Sequence, residues 1–438
     1  MLLYFVEDSG SVYGTKWVAP MGWLHDIFFF DPPWKIRVLD HLMILSIVLA
    51  GGRGGAATRV APMRTAVFVE GAAVAFFFVW GVATGGDPRA ASWQTYLVMS
   101  GVLFAFAMGA VCQTTEDAEE FGKALLVAGA YRGIMCWLFY FLYVRSGALD
   151  PNPPAYMTEH DDTVLWVVCI ILLLVYIVEA RGIGKRLKAG IFALFLLGAV
   201  QFNGRRLAWV SLAMGLAVFF FLLPPGKAKR TVVRAIFVAV PAFALYVAVG
   251  WGRTEPMFKP LQSFQTVATQ EDASTKARNV ENLGLIATAN AYGSLTGSGW
   301  GHRYVELSDK YQIHEFELWP FIPHNSILGL LAYSGILGAM GFWFPFSTAM
   351  YLNARLAYQG RTPMGRRAGV IAATQMVVCA NQMYGDMGIF SSKTIYILAA
   401  SYGIAMRLPA VDGVWSSSAR SARPAASGNR EGAPAARS

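Results

Sequence analysis

Apolar stretches of roughly 20 residues recur along this chain, each the length that crosses a ~30 Å hydrocarbon core as a helix. They fall at 65–84, 94–113, 124–145, 163–179, 187–203, 207–223, 234–250, 323–346, 368–386 and 390–406, with a shorter run at 38–51. In hydrocarbon every backbone N–H and C=O must be bonded within the protein, so segments this apolar can only span as helices. With 55% apolar and 14% charged side chains, the chain carries more hydrocarbon than a soluble core of this size needs. The expected fold is an all-α polytopic membrane protein. It has eleven transmembrane helices, twelve if residues 1–37 hide another, and one large, partly helical loop on the outer face.

Basic residues in short loops stay on the cytoplasmic side, which orients the path. The loops 51–64, 114–123, 179–188, 224–234 and 353–367 hold sixteen Lys and Arg, against five on the opposite short loops: Arg89, Arg145, Arg205, Arg206 and Lys393. The loops 146–162, 204–206 and 251–322 then lie outside and the C-terminal tail inside. Residues 1–37 lack the basic start of a cleavable signal peptide. With Trp17, Trp23, Trp34 and Phe28-Phe29-Phe30 they read as an interfacial segment. The expected organisation is 1–37 interfacial, 38–250 the first eight spans, 251–322 the large outer loop, 323–406 the last three spans and 407–438 a disordered tail, poor in large apolar residues.

The net charge of +9 comes largely from inner loops and tail, so it reads as a topology signal and an attraction to membrane lipids, not as a nucleic-acid footprint. Cys112, Cys136, Cys169 and Cys379 all lie in apolar runs without CxxC pairing and read as packing residues. No zinc spacing supports a nucleic-acid reading, and no cofactor is expected.

The polar residues that stand out gather on the outer face. Arg205 and Arg206 occupy a tight turn, QFNGRRLAWV, on the side where positive charge is disfavoured. They either snorkel to headgroups or grip a phosphate or pyrophosphate by bidentate hydrogen bonds. In STKARNVENLGLIATANAY (274–292), Val280, Leu283 and Ala287 mark the apolar stripe of a surface helix that Ser274 could cap. Arg278, Glu281 and Asn282 share one flank of it, as a solvated face or as a site wall.

The turn that follows, Thr296-Gly297-Ser298-Gly299-Trp300-Gly301-His302-Arg303, is either a flexible turn or a nest of backbone N–H groups cradling an anion, with Arg303 beside it. It lacks the strand and helix of a dinucleotide fingerprint. His324 then stands behind Pro323 in the expected first turn of the next span. The positive helix end favours a neutral imidazole, able to accept a proton; the alternative is a structural histidine. Asn325 either orients the loop or touches a substrate. Asn381, Gln382, Tyr384 and Asp386 could line the same outer cavity.

Two clusters compete for the role of base: Glu159-His160-Asp161-Asp162, which could serve as a metal or acid/base site, and His314-Glu315-Phe316-Glu317, which lacks helical zinc spacing. Glu70 and Arg132, inside apolar runs, need partners or a wet cavity.

Three stretches together resemble the O-antigen ligase and Wzy-type polysaccharide polymerase superfamily of bacterial envelope glycosyltransferases: NGRRLAWVSLAMGLAVFF, ARNVENLGLIATANAYGSLTGSGWG and PHNSILGLLAYSGILGAMGF, covering roughly 200–345. Gly-Arg-Arg stands where many relatives read Ser-Arg. The resemblance implies transfer of a glycan from undecaprenyl-pyrophosphate to a hydroxyl of a lipid or glycan acceptor. The reaction would run on the periplasmic face of the bacterial inner membrane, with inversion, without metal or nucleotide sugar, and with room for a chain-length regulator as partner. Arg278 with Arg205 or Arg206 would hold the pyrophosphate, Gly297, Gly299 and Arg303 would add to its cradle, and His324 would take the hydroxyl proton, supported by Asn325, Glu281 and Asn282. The readings from other classes are a transporter of an envelope precursor, which needs broken helices and ionisable groups at the midplane, and a non-enzymatic scaffold of a polysaccharide assembly complex.

Overall fold

The computed structural model describes residues 2–6, 38–51, 60–147, 156–180, 182–253, 258, 261, 265, 273–308 and 319–415. Among these, regular structure is helical and no strand occurs. In chain order the helices are α1 (Leu3–Val6), α2 (Val38–Gly51), α3 (Ala61–Ala83), α4 (Pro88–Val111), α5 (Thr115–Phe139, continued by a π turn at Tyr140–Val144), α6 (His160–Glu179) and α7 (Ile183–Asn203). There follow α8 (Arg206–Leu222), α9 (Lys227–Gly250), α10 (Ala273–Tyr292), α11 (Ser326–Gln359), α12 (Pro363–Gly385) and α13 (Ser392–Val411). Among the described residues seven helices are long and apolar enough to cross a membrane, and α8 and most of α2 form shorter apolar helices.

Large apolar side chains are exposed on the surface as well as packed in the core. Phe76 and Phe237 are 58% and 77% exposed, whereas Arg132 and Lys393 are 0% exposed. A surface of this kind suits hydrocarbon, and its charges are drawn to the bundle interior. The chain is a multi-pass membrane protein.

The loops sort between the two ends of the bundle as the basic residues imply. At one end meet the segment 156–159, the α7–α8 turn, α10 and the starts of α11 and α13. At the other, Arg367 pairs with Glu179, the Tyr358 hydroxyl donates to the Phe221 carbonyl, and the Thr362 N–H donates to Asp412 at 3.1 Å.

The longest helix, α11, is interrupted at Gly335, whose φ of 59° and ψ of −166° are not helical. A break there leaves carbonyls before it and N–H groups after it without helical partners. The 294–299 stretch of the loop fills the gap. Ser298 and Gly299 N–H donate to the Ala332 and Tyr333 carbonyls at 3.0 and 2.7 Å, and the Ile336 and Leu337 N–H donate to Ser294 and Leu295 at 2.8 and 3.1 Å. The approach demands glycine: a Cβ on Gly299 would lie 2.2 Å from Gly81 Cα, and φ at Gly299 is +84°. With its backbone groups closed by the chain itself, this break leaves no open carbonyl ring for a transported ion.

Three expectations are corrected. Tyr4, Phe5 and Val6 are buried within the bundle against Phe104, Phe121 and Tyr396, so this first stretch is core and not interfacial; the rest of 1–37, with Trp17, Trp23 and Trp34, lies outside the described residues. The last helix runs past 406 to Val411, and Asp412 and Val414 are buried behind it; 416–438 lies outside the described residues. The surface helix buries Glu281, Leu285, Thr288 and Ala289 and leaves Leu283 58% exposed. Ser274 falls inside that helix, which starts at Ala273, and is exposed. All four cysteines are buried and unpaired.

Candidate active site

Four segments wall a cavity of about 390 Å³ at the end of the bundle where the α7–α8 turn and α10 meet. The first is the α7–α8 turn. Gly204, left-handed at φ 68°, reverses the chain, leaving Arg205 in the capping position and Arg206 as the first residue of α8. Buried Asn203 accepts the N–H groups of Met157 and Thr158 at 2.9 and 2.8 Å, which ties the 156–159 segment to this turn. Tyr156 is thereby set beneath Arg205, whose guanidinium carbon lies 3.9 Å from the ring centroid. The second wall is α10, contributing Arg278, Glu281 and Asn282, three residues whose spacing puts them on one flank. His324 and Asn325 form the third, and Asn381, Tyr384 and Asp386 at the end of α12 the fourth.

Asp386 is the electrostatic hub. Its oxygens lie 3.4 Å from Arg205 and 3.8 Å from Arg278, long for ion pairs. Burial pushes its carboxyl up, but the charges of His160, Arg278, Arg205 and His324, the two imidazoles counting only when protonated, outweigh burial and hold it below the usual carboxylate range. The Arg205 Nε is buried without a partner among the described residues, and Arg278 keeps 39% of its side chain exposed. One carboxylate shared at distance leaves guanidinium donors able to take an anion.

His324 is held on three sides. Its N–H donates to Glu281 Oε1 at 2.5 Å, its Nδ1 lies 2.8 Å from Glu281 Oε2, and its carbonyl accepts the Met387 N–H at 2.6 Å. Met387 takes a left-handed φ of 48°, unusual for a side chain of its size. A carboxylate only accepts, so the proton of the neutral ring is assigned to Nδ1, and Nε2 keeps the lone pair. His324 precedes the helix and is not in its first turn: Asn325 is the cap, its Oδ1 accepting the Leu328 N–H at 3.1 Å. The carboxylate of Glu281, not the helix end, therefore decides which ring nitrogen is basic.

The glycine turn and Arg303 stand apart from this cavity. Gly297, Ser298, Gly299, Trp300 and Gly301 each spend their N–H on a protein acceptor, so no nest remains for an anion. Arg303 is exposed and pairs with Glu306 at 3.0 Å. The geometry thus corrects the reading of Gly297, Gly299 and Arg303 as pyrophosphate ligands: the turn is a packing device that closes the α11 break.

The acidic cluster is also structural. Asp162 holds Arg132 bidentately at 2.8 and 2.5 Å, and Lys393 Nζ lies 3.1, 3.2 and 3.3 Å from Glu159, Asp161 and Asp162. That network gives Arg132 its partner inside the bundle. No cluster of three or more His, Cys, Asp or Glu able to hold a metal occurs among the described residues, and His314-Glu315-Phe316-Glu317 lies outside them.

Sequence reasoning puts Asp386 at the cavity without a role, and Tyr156 not at all. The double positive charge opposite it is a usable signal for Asp386. Tyr156 carries none, because only the Asn203 clamp brings it in.

Residues 191–343 match the O-antigen ligase family model, Wzy_C. The resemblance to O-antigen ligases is thereby shown. The matched segment runs from α7 into α11 and includes Arg205, Arg206, Arg278, Glu281 and His324; Tyr156 and Asp386 fall outside it. A search of curated proteins finds no match.

Proposed function

We propose that the protein is a metal-independent, inverting glycan transferase of the bacterial inner membrane, working at its periplasmic face as an O-antigen ligase or as an O-antigen or exopolysaccharide polymerase. The donor is a glycan on undecaprenyl-pyrophosphate and the acceptor a hydroxyl of a lipid or a second glycan. The observation that carries this reading is the Glu281-fixed His324 opening on the same cavity as Arg205, Arg206 and Arg278.

In a single displacement the acceptor oxygen attacks the anomeric carbon as the bond from that carbon to the pyrophosphate oxygen breaks. The hydroxyl proton passes to His324 Nε2, and the pyrophosphate leaves with the electron pair. Attack opposite the leaving group inverts the centre. A neutral imidazole with its tautomer set by a carboxylate suits the proton transfer. Arg205, Arg206 and Arg278 stabilise the charge growing on the leaving group, and Asp386 holds Arg205 and Arg278 in place until the donor arrives. Asn282 and Asn325 line the cavity beside the base.

The test is complementation of a strain lacking this protein with wild type and His324→Ala at matched membrane abundance, with surface glycan resolved by length. Loss of glycan is expected. Accumulated single lipid-linked repeats identify a polymerase, and accumulated long lipid-linked chains a ligase. Wild-type glycan from the variant would overturn the assignment and favour a scaffold.

A further inference from the structure

A second cavity, about 420 Å³, opens at the end of the bundle opposite His324. It is walled by the first turns of α5, α7 and α12 and the last turns of α6. On α5 the lining residues recur at helical spacing from Thr115 to Leu126, a stripe about 16 Å long at 1.5 Å per residue. Along that depth the chemistry changes. The mouth carries Lys123, Lys185, Lys188 and Arg367, with Glu119 the single carboxylate among the lining residues. The floor is apolar: Leu126 from α5, Leu172 from α6, Ala189 and Phe192 from α7, and Ile371 from α12.

The cations are unequally engaged. Arg367 pairs with Glu179, and Lys123 reaches Glu119 and Glu120 at 3.3 and 2.7 Å. Lys185 and Lys188 are exposed and have no partner among the described residues. A water-soluble ligand would not need the apolar floor, and a neutral lipid would leave the two ammonium groups unanswered. A cationic mouth over a hydrocarbon floor, on the end of the bundle where basic loops meet, complements an amphiphile with a negative head.

We propose that this cavity binds an anionic glycerophospholipid of the surrounding leaflet, its phosphate between Lys185 and Lys188 and the upper part of one acyl chain against Phe192, Leu172 and Ile371. The inference stands independently of the reaction at the other end.

The full-length protein, purified with equal amounts of phosphatidylglycerol and phosphatidylcholine, is examined by native mass spectrometry for retained lipid. Wild type is expected to keep phosphatidylglycerol in about thirtyfold preference, the order given by two lysines near a phosphate. Lys185→Glu/Lys188→Glu removes the preference, whereas Lys227→Glu/Arg230→Glu, a charge reversal of equal size at the exposed start of α9, keeps it. Ala189→Trp, which fills the floor and leaves the charges, lowers retention of both lipids. Equal retention of the two lipids by wild type, equal loss in the α9 control, or full retention by Ala189→Trp would each overturn the proposal.

Discussion

Two groups of charges sit at the same end of this bundle and are built to opposite rules. In the closed group, Arg132, Asp162 and Lys393 are fully buried and bonded at 2.5 to 3.3 Å. In the open group, Arg205 and Arg278 face a cavity and share Asp386 at 3.4 and 3.8 Å. A buried ion pair at short range is committed: its desolvation has been met by its partner. Charges held apart at a cavity wall keep their donors for a guest. Pairing geometry, more than residue type, separates framework from site here, since both groups draw on arginine and aspartate.

The comparison breaks most visibly if the closed group is cut. Asp162→Ala leaves Arg132 buried without its carboxylate, and a loss of about 3–5 kcal/mol is expected. The protein should fail to accumulate as a monodisperse species in fluorescence-detected size-exclusion chromatography, while the paired change Arg132→Met/Asp162→Leu recovers much of it. Recovery of folded Asp162→Ala at wild-type levels would show that the network is dispensable.

In the open group the effects should fall on turnover and not on folding. Glu281→Gln keeps the size but has one acceptor oxygen for two donors; with that oxygen on the His324 N–H its NH2 faces Nδ1 and moves the ring proton to Nε2, so kcat should drop by about 10² to 10⁴. Steady-state kinetics on a lipid-linked donor should show KM nearly unchanged. A variant that loses donor affinity instead would make Glu281 a binding residue.

Asp386 tests the boundary between the groups, being buried yet at the cavity. Its folded pKa lies below the ordinary value of 3.8, so its contribution to stability is complete above that value and is lost as pH falls through the folded pKa. Thermal unfolding of wild type and Asp386→Asn should therefore differ by a margin that is still present at about pH 5. The margin, wild type the more stable, should shrink below about pH 3.8. A margin that widens in acid would mean that the carboxyl is protonated in the folded protein.

The smallest effect is expected at Arg303. Exposed and, among the described residues, paired with Glu306, Arg303→Ala should leave kcat/KM within about twofold of wild type, as surface changes usually do. A tenfold rise in donor KM would return this residue to the site.

Much of the site is legible in the sequence because helical spacing and charge sorting are local rules. Arg205, Arg206, Arg278, Glu281, Asn282, His324 and Asn325 do line one cavity. The glycine turn misleads for a physical reason. Alternating glycines free the backbone for any close approach, and whether the approaching group is an anion or another helix depends on what stands opposite. Here it is Gly81 and the break at Gly335, both distant from the turn along the chain.

The chain's own sequence determined that it crosses a membrane as helices, how those helices are ordered and which ends gather the loops, because hydrocarbon solvation and basic-residue asymmetry act on each segment separately. Only the tertiary structure decided which charges were spent and which were left open. Asp162 and Asp386 are the same side chain near the same end of the bundle. One closes on Arg132 at 2.5 Å inside the packed core, and the other faces two arginines across a cavity, because pairing distance is set by how the helices pack.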